Sequence, residues 1–513
     1  MKFFFRILAL SAIMGFSGLL QAQLHNGCGT SVETQLLGLD RLSHNRAAFA
    51  NIATQRDEIT YVPVQVHVVQ QTDGSGGAPL SEVIEMMCLL NDEFLPVDVQ
   101  FYFADDIRFF SDDRVYSTPT QYSALIRNRK NNSAMNIFIC GDIGGGPQGS
   151  VIQAYYLGPA TFNDFVVVNQ TYLTDEGVVP HEAGHFFTLA HPFFGWEQDH
   201  WTEAEYGGEP VGRFAPDNRT LNELADSSNC ASAADRICDT PPDYLFARVD
   251  GQGCNDFRGD ALDPDGEPVD PMENNMMSYF DNCRDWVFTN DQIAAMRNDL
   301  LNSPSRNYLR RNYTPNLEPL GEPAELISPA EDEVTEGYNI IPFKWRSVEN
   351  ADYYVLEVSE VVSFLTRTRQ YIVTDTTLVI EEDFRRRRPH YWRVTPFHEF
   401  GFCTEPSETV SFRTGSGLVD VQEIEQVNEW SVQPNPFKNG QQLQLQLQAD
   451  AAFDADIQLF SMDGRLVEQL NALHFHAGDN RRNIDVPSLP AGLYMLSIRS
   501  DKGVLNKRLV LMD

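Results

Sequence analysis

The 513-residue chain reads as an α+β domain followed by two all-β domains. Three patterns carry this expectation. Tyr61 to Gln70 (YVPVQVHVVQ) alternates and is rich in β-branched residues, as a strand is, and Ser81 to Phe94 (SEVIEMMCLLNDEF) follows with the apolar spacing of a helix. Past Thr314 the helical spacing gives way to short apolar runs separated by turn residues. Near the end, Leu443, Leu445 and Leu447 alternate with Gln442, Gln444 and Gln446, giving one dry face and one wet face.

The elements follow in order. Lys2 and Arg6 flank a short charged region, Ile7 to Leu20 is almost wholly apolar, and Ala22 is a small residue suited to cleavage. Residues 1–22 thus read as a secretory signal peptide, too short and wrongly flanked for a retained membrane anchor. With no other long apolar run, no transmembrane anchor is expected in the exported protein. In the first domain, expected over residues 56–313, Ser81 caps the helix. Short apolar strands follow at Met135 to Cys140 and Phe165 to Val168, with Gly144-Gly145-Gly146-Pro147 looping between them. A Pro-punctuated linker covers 314–323. Residues 324–415 hold the runs IIPFKW, YYVLEVS, RQYIVT, TLVIE, HYWRV and ETVSFRT, a β-sandwich pattern with Trp345 and Trp392 in its core. After a second linker, 416–431, a small β unit occupies 432–513, with Asp463-Gly464 as a hairpin turn.

Composition narrows the possible partners. The chain carries 73 acidic and 38 basic side chains, a formal charge of −35. A field of that sign repels phosphates, so nucleic acid is excluded as a partner. Hydrophobic residues at 42% and charged residues at 22% are those of folded domains rather than a disordered chain. Eight cysteines suit local staples in an oxidising compartment.

Residues 181–191 read HEAGHFFTLAH. On a helix, His181 and His185 leave the same face and can bind one metal ion, while Glu182 stands one step round as a base rather than a ligand. Pro192 bars further helix, so the chain turns near Thr188 to Ala190 and returns His191 as a third ligand. Three histidines leave one tetrahedral corner for water, the arrangement of a catalytic zinc. The HExxH spacing is expected by chance roughly 0.03 times in a chain of this composition. The alternatives are a structural zinc, or histidines that are simply satisfied where they stand.

HExxHxxxxxH resembles the zinc motif of the metzincins, and Asn275-Met276-Met277-Ser278-Tyr279 resembles the Met-turn of the pappalysin family within them. Cys238-Asp239-Thr240-Pro241, Cys283 and Phe288-Thr289-Asn290-Asp291-Gln292 resemble further family segments in the right order. The resemblance implies a metzincin-like catalytic domain binding one Zn2+ through His181, His185 and His191. It gives Glu182 the role of general base, Tyr279 that of a phenol steadying the oxyanion, and Met277 that of a cushion beneath the metal. It places substrate on an edge strand near Ser150 to Gly158, and two disulfides among Cys230, Cys238, Cys254 and Cys283, whose three pairings stay open. Family members carry Gly where this chain has Thr188. Cys28-Gly29-Thr30 resembles the family's prosegment, which implies a prosegment over 23–55, Cys28 as latency residue and cleavage near Arg46 to Arg56. A disulfide from Cys28 to Cys88, Cys140 or Cys403 is the alternative. Calcium is also implied, with Asp239 and Asp243 in the suspected segment.

Residues 324–415 resemble a fibronectin type III domain through Trp345, Tyr354 and Tyr391-Trp392-Arg393-Val394. Residues 432–513 resemble the small β-sandwich sorting domain read by type IX secretion machinery, through Pro434-Asn435-Pro436-Phe437, Asp463-Gly464-Arg465 and Ala491-Gly492-Leu493-Tyr494. A carbohydrate-binding or spacer domain is the alternative there. Together the resemblances imply a zinc endopeptidase that is secreted, or attached to the outer cell surface, and acts on extracellular proteins or peptides. A zinc amidohydrolase acting on another amide and a surface adhesin with a silent metzincin-like domain are the competing readings.

Overall fold

A computed structural model describes residues 27–49, 59–145, 151–158, 163–246, 254, 257, 259–280, 283, 285–311, 313–416, 424, 426–461, 465–500 and 502–512. The expected signal peptide, Arg56 and the Asp463-Gly464 turn lie outside the described residues.

Helix α1 (Val32–Phe49) precedes the first domain. Strand β1 (Thr60–Gln70), helix α2 (Leu80–Phe94) and strands β2 (Val99–Phe103) and β3 (Arg108–Ser111) follow, then two short helices, α3 (Asp113–Ser117) and α4 (Ser123–Arg127). Strands β4 (Met135–Cys140), β5 (Ala154–Leu157) and β6 (Phe165–Asn169) complete a sheet ordered β2-β1-β4-β6-β5, with β3 also paired to β1. All neighbours are parallel except β5, which runs antiparallel to β6 at the edge. Strand β1 is buried along almost its whole length, which is why its apolar residues run on both faces. Helices α5 (Val178–Phe186), α6 (Glu203–Tyr206) and α7 (Asn290–Asn302) complete the domain. Thr289 and Gln292 form a capping box at the start of α7.

Ser81 is not the cap of α2. The helix starts at Leu80 after Pro79, and the Leu80 amide is satisfied by the side-chain oxygen of Gln370, from the next domain. The Ser81 hydroxyl turns instead to Glu357 at 3.1 Å.

That next domain is a sandwich of two sheets. One is ordered β11-β10-β13-β14-β8 and the other β12-β9-β7. Its strands are β7 (Leu326–Ser328), β8 (Glu333–Val334), β9 (Ile341–Trp345), β10 (Tyr353–Ser359), β11 (Thr368–Val373), β12 (Thr377–Ile380), β13 (Pro389–Phe397) and β14 (Val410–Arg413). Trp345 and Trp392 are buried between the sheets, as expected. The outer face of β10 and β13 is buried as well. Val355, Phe397 and Phe402 join the core of the first domain, where Phe103 meets both phenylalanine rings edge-on. Glu357 is 1% exposed and accepts from Ser81, Gln370 and Arg393. Cys88 of α2 is bonded to Cys403, closing the joint. The sandwich is therefore a second wall of the first domain and more than a spacer.

The last unit has a sheet ordered β15-β17-β20 and another ordered β16-β22-β21-β18-β19. Its strands are β15 (Val427–Gln433), β16 (Phe437–Lys438), β17 (Leu443–Ala449), β18 (Phe453–Ser461), β19 (Leu466–Phe475), β20 (Gly478–Ile484), β21 (Gly492–Ser500) and β22 (Gly503–Met512). In β17 the three leucines are buried while the glutamines lie at or near the surface, the alternation the sequence predicts. Among the described residues, no helix is long and apolar enough to cross a membrane.

The joint yields a prediction. Replacing Cys88 and Cys403 together by serine removes a long-loop closure that contributes about 2–5 kcal/mol. Calorimetry should then show the first two domains still unfolding in one transition at a lower midpoint; two separate transitions would count against a shared core.

Candidate active site

Helix α5 carries His181, Glu182 and His185, all buried. It ends at Phe186 because the chain reverses at Thr188, whose φ of 92° lies in the left-handed region. That conformation costs a β-branched residue on the order of 1–2 kcal/mol. The Thr188 hydroxyl donates to the carbonyl of Gly38 in α1 at 2.8 Å, which offsets part of this cost. The reversal brings His191 back against the helix as expected.

The three imidazoles converge. The Nε2 atoms of His181 and His185 lie 3.3 Å and 3.0 Å from that of His191. His181 Nδ1 is 2.8 Å from the Met276 carbonyl, and His185 Nδ1 is 2.8 Å from that of Leu189. Carbonyls only accept, so these two nitrogens carry the protons and the Nε2 lone pairs point inward. Burial holds the pKa of His181 down to about 4 and that of His185 well below its ordinary value, so both rings are neutral at physiological pH. Ligands about 2.0–2.1 Å from a tetrahedral zinc stand roughly 3.3 Å apart, so the donor set fits this ion. Glu197, which sequence reasoning missed, places Oε1 3.7 Å from His191 Nδ1. Nothing but its position six residues on would have marked it.

Met277 is fully buried under α5. A Cβ on Gly184 would sit 2.4 Å from the Met277 sulfur, so that close approach requires glycine. Asn275 and Gln292 exchange side-chain hydrogen bonds, fixing this turn to the start of α7. The Tyr279 hydroxyl is 3.2 Å from His191 Nε2 and donates to the Cys28 carbonyl at 3.1 Å.

The segment around Cys28 lies across this cluster. Cys28 Sγ and the three imidazole donors all fall within 4.8 Å of one another. The Gly27 and Gly29 amides donate to the Val151 and Ala154 carbonyls at 3.2 and 2.8 Å, so the segment lies along the free edge at β5. Thr30 donates to Glu182 Oε2 at 2.8 Å and accepts the Tyr156 amide at the same distance. This Thr30 contact, absent from the sequence expectation, joins the expected base to the β5 edge. Burial pushes the pKa of Glu182 up to about 7.

Cys230 is bonded to Cys238 and Cys254 to Cys283, resolving the open pairings, while Cys28 and Cys140 are free rather than bridged. Arg46 lies inside α1 and donates to the Arg236 carbonyl, so that end of the expected cleavage window is built into the fold.

The expected calcium residues are otherwise engaged. Asp239 accepts from Thr289 and the Asp291 amide, and Asp243 from Ser278 and the Phe246 amide. Nearby, Glu223 and Asp235 are also buried, 1% and 0% exposed. Asp235 accepts from Thr240 and the Ile237 amide, while Glu223 Oε1 is buried with no hydrogen-bond partner among the described residues. Burial and repulsion from Asp235 raise Glu223 to about 9, and burial raises Asp235 to about 8.

Residues 431–512 match the secretion system C-terminal sorting domain. The chain is therefore a secreted or cell-surface protein that carries a type IX sorting tail. No curated protein sequence matches it. Among solved structures, the fibronectin domains FN1–FN3 of chicken CNTN1 are similar at 9% identity and TM-score 0.15, over 38% of this chain and 67% of that one. The fibronectin(III)-like modules of Clostridium thermocellum CbhA share 10% identity at TM-score 0.15, over 37% and 93%. PorZ, a surface component of the type IX secretion system of Porphyromonas gingivalis, shares 17% at TM-score 0.13, over 24% and 15%.

The carboxylate pair makes a signed prediction. With both folded pKa values raised, the folded chain keeps protons that the unfolded chain has released, so stability falls as pH climbs from about 7 to 8.5. In chelator the wild-type midpoint should drop over this window and that of Glu223→Gln should drop less. An equal drop in Glu223→Gln would show that this carboxylate does not set the loss.

Proposed function

We propose that this protein is a secreted zinc-dependent endopeptidase, held latent by its own residues 27–49. The observation that carries the reading is the convergence of three inward-facing Nε2 atoms beside a buried carboxylate whose pKa stands near 7. Zinc bound by His181, His185 and His191 would acidify a water and polarise a carbonyl there.

The chain's own groups supply the rest. An extended peptide would pair with the β5 edge now taken by Gly27 and Gly29, which sets its backbone beside the imidazoles. Glu182, once freed from Thr30, takes a proton from the attacking water and returns it to the leaving amine. A carboxylate in hydrogen-bond reach of the attacking water suits both transfers. Tyr279, released from the Cys28 carbonyl, turns its hydroxyl to the oxygen that gains charge. Latency follows from the same contacts. Cys28 stands among the three imidazoles, where a thiolate would complete a ligand set, while Thr30 occupies the base.

Two variants test this. Glu182→Gln should retain zinc, measured by metal analysis, while peptide hydrolysis falls by about 10²–10⁴-fold. Full activity in that variant would end the assignment. Cys28→Ala should raise the residual hydrolysis of the uncut chain while Thr30 and the β5 pairing keep it well below that of the segment-free protein, and unchanged residual hydrolysis would clear the thiol of any part in latency.

A further inference from the structure

Helix α1 grips the body through contacts that involve neither the Cys28 thiol nor a metal ion. Leu39 and Leu42 are 1% and 2% exposed and lie in the main core cluster with Leu189 and Leu300. Between them Arg41 sends Nε to 3.0 Å from Asp299 and donates from Nη2 to the Phe186 carbonyl at 2.9 Å. Asn45 donates to the same Asp299 oxygen at 2.9 Å. Asp299 is wholly buried, and Arg306 is its other cation, at 3.3 Å. Phe186 ends α5, so its carbonyl lies at the electronegative end of that helix, where a guanidinium is favoured.

The backbone fits as closely as the side chains. Thr188 donates to the Gly38 carbonyl, and a Cβ on Gly38 would stand 3.0 Å from the Thr188 carbonyl oxygen, so α1 lies directly on the reversal. The His191 amide donates to the Gln35 side chain at 3.0 Å. From the body, Arg236 donates to the Leu39 carbonyl and the Ser43 hydroxyl.

We infer that residues 27–49 are a ligand of the body in their own right, whose helix stays seated after the chain is cut beyond Phe49. The vacated groove recognises an amphipathic helix bearing a guanidinium between two leucines, and its occupant is this segment. The inference rests on reading residues 23–55 as a prosegment. Its consequence is that cutting alone does not unblock the cleft; the helix must also be diluted away or cut again.

The test uses the full chain with a site for a sequence-specific protease placed within residues 50–58. The protein is cut in 1,10-phenanthroline, which strips zinc and silences hydrolysis. The freed segment should co-elute with the body in size exclusion and exchange with a fluorescent peptide of residues 27–49. A Cys28→Ala peptide should compete within about threefold of the wild-type sequence, since the grip does not use the thiol. An Arg41→Ala peptide should compete at least tenfold more weakly, on the order expected when a buried charge loses its partner. These changes sit in the peptide, so the folding of the body is not at issue. A segment that elutes alone in phenanthroline, or an Arg41→Ala peptide that competes like wild type, would overturn the inference. Zinc content and casein hydrolysis of the cut protein without inhibitor report separately on the endopeptidase reading. A seated segment on an inactive, zinc-free body would leave the inference standing while that reading fell.

Discussion

Three imidazole Nε2 atoms that meet at contacts of 3.3 Å and 3.0 Å are an unfavourable crowd unless something positive shares the space. Much of the first domain serves to impose that unfavourable meeting. The Met276 and Leu189 carbonyls fix the tautomers of His181 and His185. The reversal at Thr188 returns the third ring, and Met277 fills the floor against Gly184. Behind them the Asn275–Gln292 exchange ties the floor to the start of α7, whose buried Asp299 in turn holds Arg306 against the end of α5. A fold that spends so many buried polar contacts on aiming three rings has little freedom to relax them.

The parts of this arrangement that were legible in the sequence are those with a local signature. The zinc-motif spacing places two histidines on one helical face, and Pro192 forces the return of the third. The leucine and glutamine alternation in β17 likewise describes its own environment. What was hidden is non-local. Ser81 looks like a helix cap, yet the Leu80 amide is met by Gln370, a residue of another domain. Glu357, in β10, is buried because the first domain covers that face of the sandwich. Thr30 and Glu182 lie 152 positions apart, and Glu223 and Asp235 have no motif that joins them. Their meaning exists only after folding.

Thr188 illustrates both sides. Its residue type warns of a strained turn where glycine is expected, but the sequence gives no sign of how that strain is held. The answer is a carbonyl from α1, the helix that follows the segment lying across the imidazoles. The segment that lies across the imidazoles thus also supports the shape of the turn that returns His191, so its seating and the local stability of that corner are coupled.

The bridge between Cys88 and Cys403 joins residues 315 positions apart. A chain that emerges from its N-terminus presents the first domain long before the sandwich exists. During that interval the apolar back of the sheet, around Phe103, faces water, and α2 begins without the oxygen that completes its first turn. The early half must therefore survive as a half-built wall, exposed to wrong partners until its own downstream sequence arrives to cover it. The covalent bond can only seal a docking that noncovalent contacts have already achieved.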